Sequence, residues 1–188
     1  MSTLVLRISA PWQSWGTSSR FPNRRTNKAP SKSAIIGMVA AAMGIRRDGD
    51  LSEISGLKYA VRVDQIGSIE ADSQNATMWE RDTGKKDSSL PRGVRYYLAD
   101  YVFVVGLEGD RELLELESSA MKNPKFHLFL GRKSCVPDQP LVLGHHDGGV
   151  MSVLRDIPWQ ASSWYKKDNR NISIVILRDG EIGESGDI

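Results

Sequence analysis

The residues best placed to do chemistry lie in one stretch, Pro11-Trp-Gln-Ser-Trp-Gly16 through Arg25. Gln13, Ser14, Arg20, Arg24 and Arg25 supply hydrogen-bond donors for phosphate oxygens. Trp12, Trp15 and Phe21 supply flat rings for stacking, and Gly16 allows a close backbone approach. The surrounding charge strengthens the pattern. The first 47 residues hold eight Lys or Arg (Arg7, Arg20, Arg24, Arg25, Lys28, Lys32, Arg46, Arg47) and no Asp or Glu. Residues 48–188 carry 17 basic against 23 acidic residues, so the net charge of +2 hides a strongly cationic head. Cations interleaved with rings and amides are the footprint of a polyanion-binding surface, and RNA fits it best. A solvated loop whose tryptophans anchor it to the core would use the same residues differently.

Two further segments add to this chemistry. Pro30-Ser-Lys-Ser33 reads as a helix start, where unpaired N–H groups and the positive dipole end suit a phosphate, with Lys32 as an added cation. It is not a Walker site, because Ser31 precedes Lys32 and no glycine lies between Gly16 and Gly37. Gly131-Arg-Lys-Ser-Cys135 places two cations after a glycine and suits a phosphate clamp or a basic surface turn. Lys85, Lys86, Arg92 and Arg95 form a looser group diluted by Asp82 and Asp87. His145-His146-Asp147 lacks the i,i+4 spacing of a metal pair, and its flanking glycines predict a surface loop. Cys135 has no partner at metal-ligand spacing and is expected to be buried or inert. No carboxylate pair suggests a nuclease centre, and neither metal nor cofactor is expected.

The elements that must position these residues follow from periodicity. Leu4–Ile8, Tyr59–Asp64, Tyr101–Val105, Phe126–Leu130 and Ile172–Leu177 read as strands, with a further short apolar run at Leu141–Leu143. Ala34–Met43 reads as a buried helix capped by Ser31 or Ser33 and ended by Gly44. Asp110 caps a second helix, Arg111–Met121, whose Leu113, Leu114 and Leu116 should face the core. Residues 68–98 are polar and read as an insertion, a long hairpin arm. The order strand, helix, strand, insertion, strand, helix, strand predicts an α+β, ferredoxin-like unit of the kind found in RNA-recognition folds. One cysteine permits no internal disulfide and fits a reducing cytosol. No long apolar N-terminal stretch suggests a signal peptide, and the apolar run near Ala34–Ala42 is too short to span a bilayer. A soluble, cytoplasmic protein with no membrane contact is expected.

Five ordered segments resemble one family. They are Leu6-Arg-Ile-Ser-Ala-Pro-Trp-Gln-Ser-Trp-Gly16, Pro30–Ile45, Ala60–Asp64, Tyr96–Phe103 and Leu130-Gly-Arg-Lys-Ser-Cys135. Together they are similar to the CasD family, the Cas-five-type subunits of the type I-E CRISPR surveillance complex, Cascade. The resemblance implies a single RAMP-type domain over 1–188, with residues 68–98 as a protruding β-hairpin thumb and 145–188 as a variable C-terminal part. It implies a non-catalytic subunit that caps the 5′ handle of the CRISPR RNA. The partners would be the Cascade backbone and large subunits, with target DNA met indirectly through the complex. Carried over, Gln13, Trp15, Gly16, Arg20, Ser31, Lys32 and Ser33 would line the handle site, and Arg132 and Lys133 would hold nearby phosphates. Lys85, Lys86, Arg92, Arg95 and Tyr96 of the thumb would wedge beside the first guide nucleotides. The competing reading is a metal-independent endoribonuclease that processes repeat RNA, as in type I-C relatives. His127, His145 or His146 would then act with Lys133 or Tyr96.

Overall fold

A five-stranded antiparallel sheet, covered by helices on both faces, organises the chain in a computed structural model. Residues 1–17, 23–89, 92–138, 140–170 and 172–179 are described. Among them the strands are β1 (Ser2–Ser9), β2 (Trp12–Gln13), β3 (Asn23–Arg24), β4 (Lys58–Gln65), β5 (Ser68–Gln74), β6 (Thr77–Trp79), β7 (Lys86–Ser89), β8 (Gly93–Ala99), β9 (Val102–Gly109), β10 (Val142–Asp147) and β11 (Val175–Arg178). The helices are α1 (Lys32–Met43), α2 (Ser52–Ser55), α3 (Arg111–Lys122), α4 (Val150–Asp156) and α5 (Ser163–Asp168). The central sheet has the order β10-β1-β9-β4-β11, and each neighbouring pair is antiparallel.

Side-chain alternation explains the two covered faces. Leu4, Leu6 and Ile8 point with Val61, Phe103, Val105 and Leu107 into a core shared with α1 and α3. Val5, Ala60 and Val104 point the other way, onto Val150, Val153 and Leu154 of α4. Helix α4 is also pinned by a buried ion pair. Arg62 donates to Asp64 at 2.6 Å and reaches the carbonyls of Leu154 and Ile157, the latter at 2.7 Å. Removing either partner would strand a buried charge, at a cost of about 3–5 kcal/mol.

Helix α1 forms as its sequence predicts. The Ser31 side chain accepts from the Ala34 N–H, and Gly44, at φ 79°, closes the C-terminal end. Helix α3 begins at Asp110, which accepts from the N–H groups of Glu112 and Leu113. Its phase differs from the expectation: Leu116 is exposed and Glu117 is fully buried, because the face that packs against β1, β10 and α1 runs through Leu114, Glu117 and Met121.

Three other expectations are corrected. Phe126–Leu130 pairs with no strand; its N–H and C=O groups instead bond α1 and neighbouring loops, as in Phe126 N–H to Ala41 O and Ser14 N–H to Leu130 O. His145 and His146 lie on strand β10, opposite Leu4 and Thr3, rather than in a loop. The last strand is confined to Val175–Arg178, paired with β4.

Strands β5 to β8 build a long hairpin. β5 pairs with β8 over seven residues, and β6 pairs with β7 beyond it. The other edge of β8 carries β2, antiparallel, and β3, parallel. The described ends of the basic loop are thereby laid along β8.

Candidate nucleic-acid interface

The loop after β1 is fastened from three directions. The Gln13 amide N–H donates to Tyr101 O at 2.7 Å, and its oxygen accepts from the Trp15 indole at 3.1 Å. The Ser14 hydroxyl donates to Tyr96 O at 3.2 Å on the hairpin, and the Ser14 N–H donates to Leu130 O at 3.1 Å. Gly131 makes the last contact possible. Its φ is +86°, and an added Cβ would fall 1.7 Å from the Ser14 carbonyl oxygen, so only glycine lets the two backbones meet.

These fastenings frame a cleft of about 530 Å³ between the loop, α1 and the segment 127–132. Its lining holds Arg24, Arg25 and Arg132 and the hydroxyl-bearing Ser14, Ser31 and Ser33, and among the described residues it contains neither Asp nor Glu. Ala34, Gly37 and Ala41 form a low, small-residue floor on α1. Arg24 and Arg25 are exposed, and among the described residues no carboxylate pairs with them or with Arg132. Arg24 also shares register with Arg95 across β3 and β8. Such like-charged neighbours repel unless an anion lies between them. Arg132 lies 4.5 Å over the Tyr97 ring and donates from Nη2 to Arg24 O at 3.1 Å, while its buried Nη1 has no partner among the described residues. A desolvated cationic donor left unmatched is suited to an incoming phosphate oxygen.

The family of CRISPR-associated proteins designated Cas_Cas5 matches residues 3–187. The chain belongs to this Cas5 family. One similar protein is the CRISPR system Cascade subunit CasD of Escherichia coli strain K12, 32% identical over 162 residues, covering 76% of this chain and 70% of that protein. A crystal structure of a Cas protein is similar at a TM-score of 0.75 with 36% identity, covering 97% of this chain and 82% of that one. A chain of a CRISPR RNA-guided surveillance complex is similar at a TM-score of 0.72 with 34% identity, covering 82% and 68% respectively.

In this Cas5-family chain the residues singled out from sequence divide into groups. Trp15, Gly16, Arg24, Arg25, Ser31, Ser33 and Arg132 are brought together at the cleft. Gln13 is fully buried, and its bonds make it a brace for the loop rather than a surface group. Lys32 turns away: it lines a second cleft and stands 3.9 Å from Asp179. Lys133 is exposed just outside the lining. Arg20 lies outside the described residues, as does the side chain of Lys86. Lys85 and Arg92 are exposed on the hairpin, and Arg95 and Tyr96 are half-buried nearer its root. Arg7 is paired with Asp138 at 3.6 Å. Cys135 is buried, and burial pushes its thiol pKa up. His145 and His146 lie on β10, outside the cleft, and burial lowers the pKa of His145. Among the described residues no group of three or more His, Cys, Asp or Glu could hold a metal ion, and no helix is long and apolar enough to cross a membrane.

The two tryptophans differ in their surroundings. Trp15 is buried and anchors the loop, whereas Trp12 is 43% exposed. Sequence reasoning missed Gly37 as the open floor and gave His127 only a catalytic part. The signal for Gly37 was a glycine in the middle of a helix, which needs a packing or functional reason.

Proposed function

We propose that this chain is a non-catalytic, CRISPR RNA-binding subunit of a Cascade-type complex, holding the 5′ handle of the RNA in the cleft between the loop and α1. The observation that carries the proposal is the acid-free lining, in which Arg24, Arg25 and Arg132 converge on a serine-rich helix start. Membership of the Cas5 family and likeness to CasD and to a chain of an RNA-guided surveillance complex support it. The sheet order and its βαββαβ connectivity support a ferredoxin-like, RAMP-type core. The hairpin of residues 68–99 would be the thumb, its Lys85, Lys86, Arg92, Arg95 and Tyr96 standing at the boundary of handle and guide. The backbone and large subunits would complete the hook, and target DNA would be met through the complex in the cytoplasm.

Holding a folded single strand requires cations, hydroxyls and shape, which this cleft supplies. Cutting it requires a base, an acid and a cation around a 2′-hydroxyl. His127 is the one imidazole of the described lining, and the less favoured endoribonuclease reading would have to rest on it. The test is to incubate the purified chain with its repeat RNA and a chelator, then run a denaturing gel. Intact RNA, whose 5′ handle becomes nuclease-resistant once the partner subunits are added, is expected. A discrete cut that is lost in His127→Ala would move the protein to the processing enzymes.

A further inference from the structure

The exposed Trp12 stands beside the cleft without lining it, and its surroundings give it a specific use. Trp12 is opposite Ala99 in the β2–β8 register. Alternation puts Ala99 and Tyr97 on one face of β8, and the small Ala99 lets the indole lean diagonally onto Tyr97. The two ring centroids are 4.7 Å apart with planes 32° from parallel. The Arg132 guanidinium lies 4.5 Å from the same Tyr97 centroid. One ring face has no room for two flat groups at such distances, so Tyr97, only 3% exposed, is sandwiched between them. On the opposite face of the β2–β8 pair, Gln13 and Leu98 are fully buried and hold the strands in place. The result is a ladder: Arg132 at the rim of the cleft, Tyr97 in the middle, and Trp12 at the end toward the root of the hairpin.

We infer that Trp12 is a base-stacking platform that receives one nucleobase of a single-stranded RNA just outside the cleft. This rests on the RNA-binding reading above. Phosphates gripped by Arg24, Arg25 and Arg132 would leave the neighbouring base beside an indole whose inner side is already packed on Tyr97. A ring fixed before binding loses little conformational freedom when a base stacks on it. Every base has a π-face, so the platform fixes where a nucleotide sits, not which base it is. The described lining of the cleft holds cations and no carboxylate, which argues for a nucleic acid rather than a basic peptide as the occupant.

The test uses the whole chain at low salt with a series of single-stranded RNA dodecamers of repeat sequence, each carrying 2-aminopurine at one position. Stacking quenches this base. In the unaltered protein one position should be quenched, and Trp12→Leu, which keeps an apolar side chain on Tyr97, should restore its fluorescence at least twofold. Trp12→Phe should keep the quenching. Affinity should fall about tenfold in Trp12→Leu, with the salt dependence of binding unchanged. If the RNAs bind and their fluorescence profile is the same in Trp12→Leu, the platform is wrong while the RNA-binding reading stands. If the unaltered chain binds none of them, with or without its partner subunits, both fail. If Trp12→Leu weakens only assembly with those subunits, Trp12 is a protein contact and the platform is again wrong.

Discussion

Replacing Arg24 and Arg25 together by alanine should change how RNA binding depends on salt, by an amount that the structure fixes. Both side chains are exposed and line the cleft. Neither has a carboxylate partner among the described residues, so their charge is available to phosphates. Each cation that neutralises a phosphate of a single strand contributes about 0.7 to the slope of log K against log salt. Losing two should make the slope shallower by about 1.4. Between 50 and 200 mM salt, a fourfold range, the affinity of the double variant should therefore fall roughly sevenfold less than that of the unaltered chain. The fold should survive, because the Arg24 group that braces Arg132 is its backbone carbonyl. Fluorescence anisotropy of a labelled single-stranded repeat RNA, titrated across a salt series, measures both affinity and slope. Arg155→Ala, on α4 across the sheet, is the control and should leave the slope unchanged. Weaker binding with an unaltered slope would refute the reasoning, since it would mean that these arginines shape the protein rather than meet phosphates.

Two further predictions separate binding from folding. A Cβ added at Gly37 meets no atom within 4 Å, and leucine is the better helix former by up to about 1 kcal/mol. Gly37→Leu should therefore leave thermal stability unchanged or slightly raised while filling the cleft floor and lowering RNA affinity at least tenfold; unimpaired binding would show that the RNA lies elsewhere. Glu117 is fully buried, and neither carboxylate oxygen has a partner among the described residues. Burial pushes its pKa up from 4.5 to about 7. The unfolded chain thus loses this proton first as pH rises, and the fold loses stability from about pH 4.5 to pH 7, by roughly 3 kcal/mol in all. Glu117→Leu should remove that slope and be the more stable form at pH 8, as read by urea unfolding at pH 5 and 8. Equal stability of the two proteins at pH 8 would contradict this.

Glu117 and Leu116 also show where reading the sequence stops. Local rules placed α3 well, because Asp110 can bond the first N–H groups whatever surrounds it. They did not set its phase, since a leucine and a glutamate one position apart exchange environments according to which neighbour the helix packs against. Likewise Ser31 and Gly44 announced the ends of α1 from their own chemistry. Phe126–Leu130 looked like a strand, but a strand needs a free sheet edge alongside it, and β1 already pairs with β9 and β10.

The same division runs through the candidate site. The sequence by itself determined the chemistry: an acid-free head, rings among cations, a glycine before Arg132, and motifs sufficient to indicate the family. Charge and residue type are properties of the chain, and they survive any folding. Only the tertiary structure decided which charges act together. Arg7 is paired with Asp138, Lys32 faces a second cleft beside Asp179, and Arg46 and Arg47 line an adjoining groove with Asp48, which meets the cleft at Gly37 and Ala41. Arg132, distant in sequence, joins Arg24 and Arg25 because Gly131 lets its loop press against Ser14. Trp12 and Trp15, three residues apart, part company, one exposed and one in the core. Convergence of this kind depends on long-range backbone contacts, which no local pattern encodes.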